Sequence, residues 1–388
     1  MAALVDGNRL TLLVSGVKYF PALEVELDAA RREIHIETYI FENDAAGCAI
    51  GAALARAARR GVATNVMVDG FGSSDLDAEF IAELRSAGVN FLVFRPDISP
   101  WTFRRGRLRR LHRKIAVIDA RVAFVGGINI IDDMDTPGHT PPRFDYAVRV
   151  EGPLVAHIHP TVKRLWALVT ATQFSSSWRR LRELGPFSVP RGGQRAAFLV
   201  RDNIRHRRAI EQAYLTAIEG ARSEIIIASA YFFPGLSFRR ALMDAAARGV
   251  RVVLLLQGRV EYVLLHYASR ALYGAFLDAG IEIHEYHKSF LHAKVAVIDR
   301  FWSTVGSSNI DPFSLLLARE ANIVIEDQNF ADQLRESLVK AMTEGAQQLE
   351  RQGWNQQPLA VRALTWTSYG LARLLTGLFA YGRADDLP

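Results

Sequence analysis

Cysteine and long apolar runs are the two features that this sequence most lacks. Its 388 residues include a single cysteine, Cys48, so neither an intrachain disulfide nor a cysteine-rich metal site can form. No early segment approaches the roughly 20 uninterrupted apolar residues that a membrane-spanning helix needs. The first residues also lack a basic region followed by an apolar stretch, so we expect no secretion signal. A cytosolic protein, or one peripheral to the cytoplasmic side of a membrane, fits these absences.

Acidic residues are fewer than basic ones. The sequence contains 47 Lys and Arg against 41 Asp and Glu, which gives a formal net charge of +6. A basic balance favours an anionic partner, such as nucleic acid, phospholipid headgroups or a phosphorylated metabolite. Because 49% of the residues are hydrophobic and the chain is long enough for two domains, each domain can bury a core.

The chain contains an internal repeat. The segment "HRKIAVIDARVAFVGGINI" at residues 112–130 aligns with "HAKVAVIDRFWSTVGSSNI" at residues 292–310, and 10 of the 19 positions are identical. Upstream segments match in the same order, for example "REIHIETYIF" with "SEIIIASAYFF". In each half, β-rich segments alternate with helical ones, and the helices are predicted to stop at Gly61 and Gly249. The sequence therefore predicts an α/β fold with a mixed sheet flanked by helices, duplicated in tandem as a pseudo-twofold pair.

The composition also suggests domain limits. We expect a first domain at residues 1–175, a linker rich in turn-forming residues at 176–194 and a second domain at 195–345. The tail at 346–388 contains a candidate amphipathic helix with a leucine stripe, formed by Leu364, Leu371, Leu374, Leu375 and Leu378. We interpret it as a membrane-surface helix, while packing against the protein's own core is the alternative.

Each repeat opens with a histidine and a lysine two residues apart. Alternate side chains of a strand share a face, so His112 and Lys114 should project together, roughly 6–7 Å apart, as should His292 and Lys294. Asp119 and Asp299 lie an odd number of residues from their histidines.

The parity of a regular strand therefore directs both aspartates to the opposite face. They should also lie roughly 23 Å further along the strand. We interpret them as supports of the strand or its turn.

Other polar residues in the repeat suit a phosphate site. Asn129 and Asn309 each follow their histidine by 17 residues, in glycine-rich or serine-rich turns, and Ser307 adds a hydroxyl donor. Asp145 and Glu320 each open a later strand. A carboxylate of this kind, by accepting a hydrogen bond from one imidazole nitrogen, fixes the tautomer and raises the basicity of the other nitrogen.

A single histidine at the start of a strand is ordinarily a packed or solvent-facing residue. Here that interpretation would have to account twice for the same lysine, asparagine and carboxylate, so we favour a catalytic role. The chain's remaining histidines, including His35 and His159, lack such support and are expected to be ordinary. The lysines beside His112 and His292 would oppose a cation, so we expect neither a metal nor a cofactor.

Taken together, two H-x-K-x-x-x-x-D segments followed by Gly-x-x-Asn turns resemble the phospholipase D superfamily. Segments such as "IHIETYIFEND", "DYAVRVEGP" and "GSSNIDPFSLLLAREAN" are similar to bacterial cardiolipin synthases of the B type. The resemblance covers most of residues 7–345. It implies a metal-independent, two-step phosphatidyl transfer that makes cardiolipin from two phosphatidylglycerol molecules and releases glycerol.

The resemblance also implies roles for individual residues. His112 would be the nucleophile that forms a phosphohistidine, and His292 the acid and base. The catalytic motif residues would be His112, Lys114, Asp119, His292, Lys294 and Asp299. The resemblance therefore places both aspartates in the catalytic set, whereas strand parity places them away from it.

A basic run with aromatic residues precedes His112. It is expected to meet anionic lipid, with phosphatidylglycerol membranes as the partner, although a solvated arginine loop is the alternative. The residues concerned are Trp101, Phe103, Arg104, Arg105, Arg107, Arg109 and Arg110. Three other functions remain open: a phospholipase D that transfers the group to water, a phosphodiesterase that acts on nucleic acid, and a non-enzymatic anionic-lipid scaffold.

Overall fold

The structure, a computed structural model, describes residues 3–96, 110–136, 140–172, 189–202, 206–260, 263–311, 318–351, 354 and 358–381. The strands of the first half are β1 Val5–Val14, β2 Glu33–Thr38, β3 Ala63–Asp69, β4 Asn90–Phe94, β5 Arg110–Leu111, β6 Lys114–Ile118, β7 Val122–Gly126 and β8 Tyr146–Glu151. Its helices are α1 Ser15–Ala29, α2 Ala45–Arg59, α3 Ala78–Ser86 and α4 Val155–Thr172.

The second half repeats this order of elements. Its strands are β9 Gln194–Arg201, β10 Glu224–Ser229, β11 Arg251–Gln257, β12 Glu282–Tyr286, β13 Lys294–Ile298, β14 Trp302–Gly306, β15 Ala318–Glu326 and β16 Ala346–Gln348. Its helices are α5 Ala209–Gly220, α6 Leu236–Ala247, α7 Val263–Arg270, α8 Tyr273–Asp278, α9 Gln328–Gly345 and α10 Leu359–Tyr381. Residues 173–188, most of the expected linker, lie outside the described residues, and the domain limits stay predictions.

The order of strands in the sheet is nearly symmetric about its centre. The strand order is β4-β3-β2-β6-β7-β8-β1 in the first half and β9-β15-β14-β13-β10-β11-β12-β16 in the second, and β5 pairs with β15. Within the first half, β2, β3 and β4 are parallel, whereas β6, β7 and β8 pair antiparallel. The halves join where β1 pairs with β9 through Val5↔Ala196 and Asn8↔Gln194. The predicted mixed sheet and tandem duplication are confirmed.

Side-chain alternation divides the core into layers. In β6, Ile115 and Val117 pack in a central cluster shared by the two halves, whereas Ala116 and Ile118 pack with α1, α2 and α3 in an outer cluster of the first half. In the second half, Ile225 and Ile227 belong to the corresponding outer cluster. The repeated strands are therefore buried on both faces, which explains their almost continuous apolar sequence.

The helix ends follow from local sequence. Gly61 and Gly249 have φ of +86° and +87° just after α2 and α6, so the predicted stops are confirmed. At the start of α2, the Asp44 side chain accepts a hydrogen bond from the Gly47 N–H at 2.8 Å. Asp327 caps α9 in the same way.

The aspartates of the repeated motif lie in the turns after β6 and β13. Asp119 accepts hydrogen bonds from the N–H groups of Arg31, Arg32 and Glu33, at 2.7–3.0 Å. In the second half Asp299 accepts from the equivalent N–H groups just before and at the start of β10. Burial raises the pKa of Asp299, but these donors outweigh it and leave the pKa below its usual range.

The C-terminal helix α10 packs on the second half through small residues. Thr365, Ser368 and Ala372 are buried, whereas Leu364, Leu371 and Leu374 are 42–60% exposed. These three leucines of the stripe therefore do not lie on the face that contacts the protein. The side chains of Leu375 and Leu378 lie outside the described residues. Among the helices that the structure describes, none is both long enough and apolar enough to cross a membrane.

These contacts predict that Asp119→Asn lowers stability. The substitution removes the charge that accepts three backbone N–H groups, so we expect the free energy of unfolding to fall by about 0.5–3 kcal/mol. Urea denaturation followed by circular dichroism measures the change. Asp244→Asn, at an exposed position of α6, is the matched control and should leave the midpoint unchanged. Equal midpoints for the two variants would show that the turn does not depend on this carboxylate.

Candidate active site

Each motif histidine is held by the opposite half of the chain. β5 pairs in parallel with the start of β15, and the His112 N–H donates to the Arg319 carbonyl at 3.0 Å. Correspondingly, the His292 N–H donates to the Phe144 carbonyl at 2.8 Å, beside a bridge between Phe144 and Leu291. The two histidines therefore lie where the two halves meet.

The two predicted carboxylates contact the histidines crosswise. His112 Nδ1 lies 2.9 and 3.1 Å from the two carboxylate oxygens of Glu320, and His292 Nδ1 lies 2.6 Å from Asp145 Oδ2. An ionised carboxylate accepts the Nδ1 proton, which leaves the lone pair on Nε2. Neither Nε2 atom is hydrogen-bonded to any residue that the structure describes. The two side chains are 16% and 12% exposed, so a ligand can reach them.

The two lysines lie beside the imidazoles and are almost fully buried. Lys114 Nζ donates to the His112 carbonyl at 2.7 Å, and Lys294 Nζ donates to the His292 carbonyl. Lys294 Nζ also lies 3.9 Å from Asp145 Oδ2. This arrangement brings two lysine side chains to the point where the halves meet, which suits a phosphate that both lysines contact.

Burial controls the protonation of these groups. It lowers the pKa of Lys114 to about 7, although Glu320 partly opposes the shift. Burial and the charges of Lys294 and Lys114 also lower the pKa of His292 well below its ordinary value. The pKa of His112 is lowered as well, chiefly by burial, with Glu320 again opposing. Both imidazoles are therefore neutral near pH 7 in the absence of a bound anion.

The two carboxylates respond differently to burial. Burial raises the pKa of Asp145 to about 7, against the attraction of Lys294. Burial also raises the pKa of Glu320, but the adjacent His112 outweighs it and the net shift is downward. Glu320 is thus held as a negative charge, whereas Asp145 can be protonated near pH 7.

A serine contacts one of the two carboxylates and has no counterpart at the other. Ser307 donates its hydroxyl to Glu320, and that hydroxyl accepts from the Ala321 N–H at 3.1 Å. The equivalent residue of the first half is Gly127, and the Asp145 carboxylate occupies the space that a side chain there would need. Ser307 therefore contacts the carboxylate that orients His112.

The predicted asparagines lie in the turns after β7 and β14. Asn129 Oδ1 accepts from the Ile40 N–H at 3.2 Å, which leaves the amide hydrogens available. Asn309 is buried, and its Oδ1 has no hydrogen-bond partner among the residues that the structure describes. These amides are suited to bind a phosphate oxygen.

One group of predicted residues lies away from this site, and another falls mostly outside the described residues. Asp119 and Asp299 lie at the far ends of β6 and β13, roughly 17 Å from the lysines at 3.3 Å per residue. The contacts of these aspartates agree with strand parity. They give no support to a catalytic role. Of the expected lipid-binding residues, Trp101, Phe103, Arg104, Arg105, Arg107 and Arg109 lie outside the described residues. Arg110 is described and lies over the Phe71 ring at 5.2 Å.

Several aromatic and basic neighbours were missed by the sequence analysis. The Tyr39 ring lies 4.8 Å from the His112 ring, and Lys114 Nζ lies 5.2 Å from its centroid. Near His292, Phe290 stacks at 6.2 Å, and Arg143 lies over Phe290. Arg143 lies two residues before Asp145, and this closeness to a predicted site residue was the signal in the sequence that could have identified it. Tyr39 has no tyrosine at the equivalent position of the second half, so the repeat could not reveal it.

Comparison with known proteins matches the sequence to a family. A family model described as "Cardiolipin synthase, PLD-like domain" matches residues 23–137 and 214–342. Cardiolipin synthase B of Escherichia coli (strain K12) is 41% identical over 358 residues, covering 90% of this chain and 86% of its own. Cardiolipin synthase of Geobacillus kaustophilus is 31% identical over 373 residues, covering 95% and 72%.

A solved structure extends the likeness to the fold. Phosphatidylserine synthase of Haemophilus influenzae Rd KW20 superposes with a TM-score of 0.70 at 13% identity, covering 95% of this chain and 94% of that one. At this identity the match supports the fold alone, whereas the family model and the relatives match along most of the sequence. The chain belongs to the cardiolipin synthase family of phospholipase D-like proteins.

Proposed function

We propose that this enzyme transfers a phosphatidyl group from one phosphatidylglycerol to a hydroxyl of a second, making cardiolipin and releasing glycerol. The observation that carries the proposal is the crossed pair of imidazole–carboxylate hydrogen bonds, His112 to Glu320 and His292 to Asp145. Each bond leaves one Nε2 free beside a buried lysine. Two such nitrogens provide the nucleophile and the proton carrier that a two-step transfer at phosphorus requires.

In the first step, His112 Nε2 attacks the phosphorus of the bound lipid. The P–N bond forms as the bond from phosphorus to the glycerol headgroup oxygen breaks, and His292 delivers a proton to that oxygen. Glu320 suits the nucleophile because its fixed charge stabilises the positive imidazole that bears phosphorus. His292 suits the acid because it contacts Asp145, whose pKa of about 7 allows the pair to store the proton that His292 delivers.

In the second step, the hydroxyl of another phosphatidylglycerol attacks the phosphohistidine. His292 takes the hydroxyl proton, the P–N bond breaks, and His112 returns to its starting state. Lys114, Lys294 and the two asparagine amides would stabilise the charge on the phosphoryl oxygens in both steps. Water at the same position would give phosphatidic acid, so a hydrolytic phospholipase D is the competing outcome.

The lipid reaches the enzyme at a membrane surface. We propose that the exposed leucine stripe of α10 lies in the headgroup region, which makes the protein peripheral on the cytoplasmic side of the cell membrane. Support comes from the exposure of Leu364, Leu371 and Leu374 on a helix that packs through other residues. Trp366 is 60% exposed and suits the same interface. The exposed apolar stripe favours lipid over nucleic acid as substrate, whereas the basic charge would suit the phosphates of either.

The reaction is tested with vesicles of labelled phosphatidylglycerol. We expect cardiolipin and glycerol in equal amounts, and a loss of at least about 100-fold for His112→Ala or His292→Ala, because each removes a distinct catalytic group. His157→Ala, an exposed histidine of α4, is the control and should retain full activity. Phosphatidic acid as the main product would make the protein a hydrolase. Substantial turnover by either variant would disprove the two-histidine mechanism.

The lowered pKa of Lys114 predicts a pH dependence. A lysine with a pKa near 7 is charged below that pH and neutral above it, so kcat/KM should decline as the pH rises above about 7. A bound anionic phosphate stabilises the charged lysine, so the decline in kcat should begin at higher pH than that in kcat/KM. Initial rates measured from about pH 6 to about pH 9 provide both profiles. Parallel, flat profiles above pH 7 would contradict a titrating Lys114.

The membrane role of α10 predicts a binding defect. Leu371→Glu places a charge in the proposed lipid-facing stripe, and burying a leucine is worth about 1.5–3 kcal/mol, so vesicle affinity should fall by at least about tenfold. Sedimentation with phosphatidylglycerol vesicles measures the affinity. Leu236→Glu, which replaces a leucine 50% exposed on α6, is the matched control and should bind normally. Equal affinities for the two variants would exclude the stripe as a lipid contact.

A further inference from the structure

A second group of titratable side chains lies away from the histidine site. Glu33 and His35 alternate along β2 and so share one face, and α4 crosses that face and brings His159 beside them. The three residues are only 2–3% exposed. The group lies between the shared central core and a smaller cluster that contains Trp166. The mechanism above uses none of these residues.

The distances within this group leave one polar atom unsatisfied. Glu33 accepts a hydrogen bond from His159 Nε2, whereas its other oxygen lies 3.6 Å from His35 Nε2, too far for a hydrogen bond. His35 Nε2 is buried and has no hydrogen-bond partner among the described residues. An unpaired buried polar atom costs about 1–3 kcal/mol, so its retention requires an explanation.

In the second half, the equivalent glutamate has different hydrogen-bond partners. Glu224 begins β10 as Glu33 begins β2, and it binds Arg335 of α9 at 2.5 and 3.1 Å and Arg251 at 2.8 Å. Permanent cations therefore neutralise Glu224. In the first half the facing groups are two imidazoles, which are metal ligands when neutral.

We propose that Glu33, His35 and His159 bind one divalent transition-metal ion of the zinc type. One carboxylate oxygen and two imidazole nitrogens form a donor set common in protein zinc sites, with a fourth position for water. The three ligand atoms all lie within 4.8 Å of one another. Tetrahedral zinc bonds of about 2.0–2.2 Å place ligand atoms roughly 3.4 Å apart, so small side-chain shifts suffice. The unpaired His35 Nε2 would then have a partner.

This site is separate from the proposed chemistry. The Glu33 N–H donates to Asp119 Oδ1 at 3.0 Å, and the Asp119 N–H donates to the Glu33 carbonyl at 2.8 Å, so the cluster lies at the end of the sheet opposite to Lys114. A metal there would fasten α4 to β2, the role that Arg335 has for α9 and β10. Its effect is therefore on stability, since an ion that binds only the folded chain raises the melting temperature.

The test uses untagged full-length protein stripped of metal with a chelator and then dialysed. Titration with Zn²⁺ in a calorimeter should give one equivalent of tight binding and a higher melting temperature, whereas Mg²⁺, which prefers oxygen ligands, should give neither. Co²⁺ in the same site should show the visible absorption of a tetrahedral complex. His35→Ala removes one ligand and should weaken Zn²⁺ binding by more than about 100-fold, beyond the effect of losing an outer-shell partner.

Two further variants make the result decisive. His157→Ala removes an exposed histidine two residues before His159 on α4 and should bind Zn²⁺ like the wild type. His35→Gln keeps a polar side chain of similar size, so it reports the loss of the ligand even if the alanine variant fails to fold. The absence of stoichiometric Zn²⁺ binding in the wild type, or unchanged binding in His35→Gln, would overturn the proposal. Neither result bears on cardiolipin synthesis, which the vesicle assay tests independently.

Discussion

The active site depends on hydrogen bonds that cross between the two halves of the chain. Glu320 of the second half orients His112 of the first, and Asp145 of the first orients His292 of the second. A hydrogen bond to an ionised carboxylate stabilises a protein by about 1.5–3 kcal/mol, and here it also selects the tautomer that exposes Nε2. Docking of the halves and assembly of the catalytic groups are thus the same event.

The two halves are duplicated but not equivalent. Ser307 donates to Glu320, whereas Gly127 at the same position offers Asp145 no hydroxyl. Burial raises the pKa of Asp145 to about 7. One imidazole is therefore paired with a fixed charge and the other with a carboxylate that can share a proton. This difference supports the separate roles assigned to His112 and His292.

Much of this arrangement could be predicted because the repeat presents the same residues twice. The α/β class, the mixed sheet and the helix ends at Gly61 and Gly249 follow from periodicity and local backbone preference. The crossed pairing could not be predicted, because each carboxylate lies closer in sequence to the histidine of its own half, 33 residues after His112 for Asp145 and 28 after His292 for Glu320. Strand parity did separate Asp119 from Lys114, since side-chain direction in a regular strand depends only on residue spacing.

Other features required the tertiary structure. His159 is 124 residues from His35, and no spacing rule connects a helix to a strand across that distance. Similarly, α10 packs through Thr365, Ser368 and Ala372, whereas hydrophobic periodicity identifies only the leucines as its apolar face. A pattern of apolar residues identifies which face avoids water but not which surface will cover it.

The turn at Asp119 limits how the length of β6 can change. β6 is held at one end by this turn and carries Lys114 at the other, with both faces buried between. Inserting or deleting a single residue in the strand would exchange its two faces, so the side chains that now pack in the central and outer clusters would change places. Length variation among related chains should therefore occur in the loops around β6 and β13, while the number of residues from histidine to aspartate stays constant.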